Sequence, residues 1–404
     1  MMKIKRGLFA ACTLILLLAG LYSGDYIYYI GFGVLISILI YAIATNLWVL
    51  LDFNYLQTIS PNKVSKGQNA ILTIQIHNDK PFIFPFMKIY YQTPASILAG
   101  TTEKGVLSIL PFQHGEIREE FNCSLRGNYQ LGITHLEVGD MFGLFRFPMN
   151  LMNKHYHRLQ LLSVYPRIIH LTYLPLPQIQ LEGILNNQLL RTNEAATLSD
   201  IRQYRYGDPL KKIHWKASSK LQELQVMNHE MTTQPHALLF VETTPNRAEG
   251  MERHQIEDQI IETATAIAHY ILHKWLPLKF VVYHKTRKEL NGRNPQDFQA
   301  FYEQLSNISF DSLFPMTEIM QMESTTFHQR GSLILIIHEL SYTLFSHLCI
   351  FKQTGVYPMV FLIQHRNNNY PEYRKMIEEL NEKGIPSFLI FTDQRIDEAL
   401  EAVV

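Results

Sequence analysis

Two long runs without a charged side chain open this sequence, and they constrain it more than anything that follows. Gly7 to Tyr22 is the first, Ser23-Gly24-Asp25 interrupts it as turn-forming residues, and Tyr26 to Leu51 is the second. At 1.5 Å per residue the second run spans ~30 Å of hydrocarbon with length to spare. The first covers only ~24 Å and depends on Lys3, Lys5 and Arg6 reaching up to the interface. The pattern predicts a transmembrane helical hairpin over residues 1–51. A cleaved signal peptide competes, because the same three cations form an n-region and Ala19-Gly20 supplies small residues. The second run follows almost at once, however, and a hairpin accounts for both. The positive-inside rule then holds the N-terminus in the cytoplasm, and two crossings return Asp52 onward to that side. The expectation is a cell-membrane protein of two spans with both termini cytoplasmic. Tyr26, Tyr28, Tyr29 and Trp48 sit near span ends, where interfacial aromatics belong.

The remaining length is too great for one ordinary core, so two or three domains are expected from 404 residues. Thirty-six basic and 36 acidic side chains cancel, and no electrostatic argument points to nucleic acid. Cys12, Cys123 and Cys349 lie far apart, which excludes a disulfide framework and a CxxC zinc site.

Residues 52–170 read as β. Ala70–His77, Phe86–Tyr91 and Gly132–Val138 are short alternating runs, separated by turn signals such as Asn78-Asp79-Lys80-Pro81 and Gly127-Asn128. A β-sandwich of immunoglobulin-like type fits this spacing. Residues 171–235 hold a connecting segment. Over 236–404 the period changes. Ala237–Val241 reads as a buried strand, and Ile256, Ile260, Ala264, Ile267, Ile271 and Trp275 recur at helical spacing. Strand-like Lys279–Tyr283, Leu333–Ile337, Met359–Ile363 and Ser387–Phe391 then alternate with helix-like Pro295–Leu305, Tyr342–Lys352, Pro371–Lys383 and Arg395–Ala402. Such alternation predicts an α/β domain with a mainly parallel sheet and helices on both faces.

The most unusual stretch is Asp200 to Lys220. It holds Arg202, Arg205, Lys211, Lys212, Lys216 and Lys220 against Asp200 and Asp208, with a turn at Gly207-Asp208-Pro209. The cations suit phosphate or an acidic partner surface, and Arg202 and Arg205 suit internal carboxylate ties equally well. Trp215 is expected as a packing anchor.

This stretch resembles the hallmark of the bacterial domain-of-unknown-function family number fifty-eight, through Arg202, Tyr204, Gly207, Asp208, Lys212, Ile213, His214, Trp215, Lys216 and Ala217. Arg126-Gly127-Asn128-Tyr129, Gly132 and Asp140-Met141-Phe142-Gly143-Leu144-Phe145 resemble its upstream elements, and Glu230 stands where that family has a glutamate. The layout of two spans, a β domain and then the motif is also similar. The resemblance implies a von Willebrand factor A-like C-terminal domain and a MoxR-type AAA+ ATPase as partner, with no accepted enzymatic activity. Arg202, Tyr204, Arg205, Gly207, Asp208, Lys212, His214, Trp215 and Lys216 are then the expected partner-binding set.

Von Willebrand A domains often hold magnesium through Asp-x-Ser-x-Ser at the end of the first strand. Glu242-Thr243-Thr244-Pro245-Asn246 stands at that place here, and Glu339 where a later aspartate is usual. Glu242, Thr244 and Glu339 are therefore the metal candidates, against a reading in which the site is degenerate and no cofactor binds. A zinc protease fails on spacing, since Thr233 and Tyr342 occupy the places of the second histidine. A hydrolase can be assembled from Asp200 or Asp208, His214 and Ser218 or Ser219, without a nucleophile elbow to support it. No Walker A loop or GxGxxG occurs. The leading expectation is a non-catalytic membrane adaptor, with the His214 hydrolase and a metal-dependent binding domain at Glu242 as alternatives.

Overall fold

The computed structural model describes residues 2–51, 53–92, 105–152, 158–177, 200–204, 215, 218–219, 222–228, 237–284, 286–324, 327, 331–366 and 371–401. The chain divides into two compact units, Met1–Arg167 and Ile168–Val404.

In the first unit, helices α1 (Met2–Ser23) and α2 (Tyr26–Leu51) pack on each other. Both are long and apolar enough to cross a membrane, over Ile4–Ser23 and Tyr26–Val49, and they leave nearly all of that apolar surface open. An apolar helix exposed all round has no protein core to enter, and lipid is its natural solvent. Among the described residues nine strands follow: β1 (Asn54–Ser60), β2 (Lys63–Ser65), β3 (Asn69–His77), β4 (Phe84–Gln92), β5 (Gly105–Ile109), β6 (His114–Asn122), β7 (Gly127–Gly139), β8 (Arg146–Asn150) and β9 (Gln160–Tyr165). They form two sheets, β1-β3-β6 and β2-β9-β7-β4-β5, with β8 paired to β7. Alternation assigns the faces. Leu72, Ile74 and Ile76 of β3 turn inward to share one core with Met87 and Ile89 of β4 and Leu131, Ile133 and Leu136 of β7. Gly132 sits at φ 154, and a Cβ there would come within 2.8 Å of the Gln57 amide. That amide is buried and its oxygen accepts from the Ile133 N–H at 3.1 Å, so glycine makes room for a polar stitch between β1 and β7.

The second unit begins at Ile168, slightly before the boundary expected from sequence. Ile169, Leu171, Leu174 and Leu176 enter the α/β core, which draws the front of the connecting segment into that unit. After a two-stranded ribbon of β10 (Asp200–Gln203) and β11 (Gln225–Asn228), a six-stranded sheet forms from β12 (Ala237–Val241), β13 (Leu278–Tyr283), β14 (Arg287–Gly292), β15 (Ser332–Ile337), β16 (Tyr357–Gln364) and β17 (Ser387–Phe391). Its order is β14-β13-β12-β15-β16-β17, parallel throughout except for β14. All residues of β12 and β15 are buried, as strands covered on both faces must be.

One face packs against α3 (Gly250–His273), α4 (Phe298–Ser306) and α8 (Ile396–Glu401). The other packs against α5 (Met316–Glu323), α6 (Tyr342–Gln353) and α7 (Pro371–Glu382). Two details depart from expectation. Trp275 does not continue the helical stripe, because α3 ends at His273 and Trp275 takes a left-handed conformation, half exposed. The edge strand β14 and helix α5 carry no signal strong enough to be read from sequence. Arg-Lys-Glu-Leu-Asn-Gly is polar because an edge strand faces water.

Candidate functional site

In a doubly wound sheet, ligands approach the carboxyl ends of the strands where the winding reverses. Here β12 leads one way to β13 and β15 lies on its other side, so the reversal falls between β12 and β15. The residues just beyond those strands are Glu242, Thr243 and Thr244 on one side and His338 and Glu339 on the other.

The ladder ends with the Glu242 N–H donating to Ile336 O at 2.9 Å. The Glu242 side chain then carries the pairing further. Its Oε2 accepts from the backbone N–H of His338 at 2.9 Å and of Glu339 at 3.2 Å, and its Oε1 accepts from Thr244 Oγ1 at 3.3 Å. The His338 ring lies over the same carboxylate, Nδ1 at 3.4 Å from Oε2, while Nε2 reaches Thr244 O at 3.0 Å. Glu242 is 4% exposed. The Gln364 amide, also buried, donates to His338 O, and Thr243 Oγ1 donates to Tyr283 O at 2.6 Å. Four neighbouring strand ends are thus tied together by side chains.

This arrangement does not fit a magnesium ion. The Glu242 oxygens already hold three donors, and magnesium demands a near-octahedral set of free oxygens. Glu339 does not converge on the same point, since its carboxylate pairs with Arg247 Nη2 at 3.0 Å near the surface. Among the described residues, no group of three or more His, Cys, Asp or Glu side chains is arranged to hold a metal. The structure therefore brings Glu242 and Thr244 together but separates Glu339 from them. Thr243, Arg247 and Gln364 are not singled out by sequence, because a serine-like or amide partner carries no motif of its own.

A second polar cluster stands at the β13 end. The Tyr283 hydroxyl donates to Glu323 Oε1 at 2.5 Å, and Arg287 pairs with the same buried carboxylate, its Nη2 at 3.3 Å from Oε2. Burial, and then the facing Glu323, push the Tyr283 phenol up to about 12. The Arg287 guanidinium, assisted by Lys279, holds Glu289 down to about 2.

The motif forms the excursion between β10 and β11. Those strands pair from Asp200↔Asn228 to Gln203↔Gln225, and Tyr204 N–H extends the ladder to Leu224 O at 2.8 Å. Ser218 is buried, and its Oγ accepts from the Gln225 N–H at 2.9 Å, which fastens the excursion to the ribbon. Trp215 is 67% exposed. It does not anchor packing, contrary to expectation, because most of its side chain lies in solvent. Arg202 is placed by its backbone in β10, and Tyr204 is half-buried directly after it. Arg205, Gly207, Asp208, Lys212, His214 and Lys216 lie outside the described residues.

Residues 200–275 match the family described as protein of unknown function DUF58. The match covers β10, the excursion, β11, β12 and α3, and so includes Glu242 but not its partners His338 and Glu339. The chain is 19% identical over 256 residues to the uncharacterized protein YeaD of Bacillus subtilis, an alignment covering 62% of this chain and 61% of that one. Among solved structures, the CARDB domain of the PF1109 protein from Pyrococcus furiosus is similar over 28% of this chain and 93% of its own, at 16% identity and a TM-score of 0.20. The PilB minor pilin from Streptococcus sanguinis is similar over 81% of this chain and 91% of its own, at 7% identity and a TM-score of 0.31. Both scores are too low to establish a shared fold.

Proposed function

We propose that this protein is a non-catalytic adaptor, held at a cell membrane by α1 and α2 with both termini on the cytoplasmic side. On this reading the β unit is an immunoglobulin-like spacer. The α/β unit is a von Willebrand A-like domain presented to a protein partner, a MoxR-type AAA+ ATPase, without cofactor or nucleic acid. The observation that carries the adaptor reading is the exposed Trp215 within a stretch rich in arginine and lysine. Tryptophan and arginine are enriched among the residues that dominate the energetics of protein interfaces. The choice of ATPase follows from the resemblance of the motif.

The alternatives have less to stand on. Ser218, a candidate nucleophile, is buried and committed to the Gln225 backbone. Glu242, the candidate metal ligand, is committed to the His338 and Glu339 amides. Affinity purification of the full chain from detergent extracts should recover an ATPase of the MoxR type, and Trp215→Ala should abolish its recovery while leaving the melting profile unchanged. Undiminished recovery with Trp215→Ala would remove Trp215 from the interface, and repeated purification without any ATPase would end the adaptor reading in this form.

A further inference from the structure

The β sandwich has an end that faces the hairpin and an end that faces away, and the two differ in character. Strand β1 leaves directly from α2, so the near end holds the turn before β4, the turn between β5 and β6, and the turn between β7 and β8. Those turns lie against α2. A cleft of about 270 Å³ is lined by Tyr41, Thr45, Asn46 and Val49 of the helix and by Pro111 and Phe142 of the turns, among others. From Tyr41 to Val49 is ~12 Å along a helix axis. Val49 stands two residues before the end of the uncharged run at Leu51. The turns therefore reach down beside the final two turns of that span, a depth comparable to the boundary of headgroups and acyl chains, ~5–10 Å into a bilayer surface.

The β5–β6 and β7–β8 turns expose large apolar side chains there. Phe112 is 73% exposed, Met141 58% and Phe142 43%, with Leu110 beside them at 51%. The turn that displays Met141 and Phe142 is built for rigidity. Asp140 is buried and its carboxylate accepts from the Phe142 and Phe145 N–H groups, while Gly143 takes a φ of 70 that lets its N–H return to Asp140 O at 3.1 Å. Arg6, exposed near the start of α1, stands beside the patch: it donates to Leu144 O with its guanidinium 5.3 Å from the Phe145 ring centroid. The described residues at the far end of the sandwich, by contrast, include Asn62, Lys63, Lys66 and Asn122.

We infer that the β5–β6 and β7–β8 turns insert Phe112, Met141 and Phe142 into the interfacial layer of a phospholipid bilayer, so that the sandwich is seated on the membrane instead of hanging from the hairpin. The inference rests on reading α1 and α2 as membrane-spanning. The occupant is lipid because the patch is continuous with the lipid-facing surface of α2 and lies at the same depth. Seating fixes the tilt of the sandwich relative to the bilayer.

The test uses the full chain in phosphatidylcholine–phosphatidylglycerol vesicles, with a nitroxide on the lipid near the headgroup. Cys12 and Cys349 are replaced by serine, and Cys123 is fully buried and escapes labelling. An environment-sensitive fluorophore is attached in separate variants at Leu47→Cys on α2, at Phe112→Cys and Phe142→Cys on the turns, and at Leu161→Cys near the far end. The inference expects blue-shifted emission and strong quenching at positions 47, 112 and 142, several-fold above that at 161. Quenching at 47 with 112 and 142 no different from 161 overturns the inference and leaves the hairpin standing. Absence of quenching at 47 overturns the hairpin, and the inference with it.

Discussion

Replacing Glu242 by alanine should loosen the junction between β12 and β15 at one defined place. The side chain serves two backbone N–H groups beyond the end of the ladder, His338 at 2.9 Å and Glu339 at 3.2 Å. His338 is buried, so its orphaned N–H costs about 2 kcal/mol, within the ~1–3 kcal/mol range for an unsatisfied buried donor. The Glu339 residue is half exposed and water can replace its acceptor, which limits the second loss to about 0.5–1 kcal/mol. The sum, about 3 kcal/mol, corresponds to local opening about 100-fold more frequent. Hydrogen–deuterium exchange on the full chain in detergent should show that acceleration at the amides of His338 and Glu339. Glu242→Gln retains one oxygen for both N–H groups, and its NH₂ can donate to Thr244 Oγ1, so it should cost less than about 1 kcal/mol. An alanine variant indistinguishable from wild type would refute the stitch. So would magnesium that stabilises the wild type and not Glu242→Gln, because the carboxylate would then be a ligand.

Other expectations follow from the same unit. His269 stacks on His273 with ring centroids 3.8 Å apart and meets His170 edge-on at 4.6 Å, and burial followed by these two neighbours lowers its pKa to about 4. The unfolded chain binds that proton near pH 6.5 and the folded chain resists it, so stability is full above 6.5 and declines as pH falls toward 4. Discounted for partial exposure, the loss is about 1–2 kcal/mol, and His269→Gln should flatten the pH dependence of the melting midpoint over that window. Glu323→Ala should cost about 1–3 kcal/mol in denaturant titrations, because it leaves the Tyr283 hydroxyl without its acceptor while Arg287 keeps Glu289, whereas Tyr283→Phe should cost about 1 kcal/mol. Trp215→Ala should change stability by less than about 0.5 kcal/mol, as befits an exposed side chain, so that any loss of partner capture is a loss of binding.

The Asp140–Phe145 and Arg126–Tyr129 blocks show how a sequence resemblance acquires physical content. Asp140 and Gly143 shape a turn, and Tyr129 donates its hydroxyl to Leu125 O at 3.1 Å and Arg126 O at 3.0 Å. Both blocks are devices of backbone geometry. The turn displays an apolar tip only because of where it comes to rest beside α2.

Hydropathy and periodicity alone determined most of the architecture. An uncharged run of 26 residues such as α2 has one low-energy form, and strands buried on both faces, such as β12 and β15, must be short and apolar wherever they lie in the sheet. These are local consequences of composition, since hydrophobic burial depends on what a residue is more than on its particular neighbour. The tertiary structure alone decided the order of the strands, the antiparallel polar edge at β14, and the fate of Glu242. A carboxylate at a strand end has the same sequence signature whether it binds a metal or the next strand, and only the positions of the His338 and Glu339 amides distinguish the two. Trp215 obeys the same logic in reverse. Its type predicted a core, and the structure leaves it in solvent, because burial of one side chain is settled by the elements packed around it.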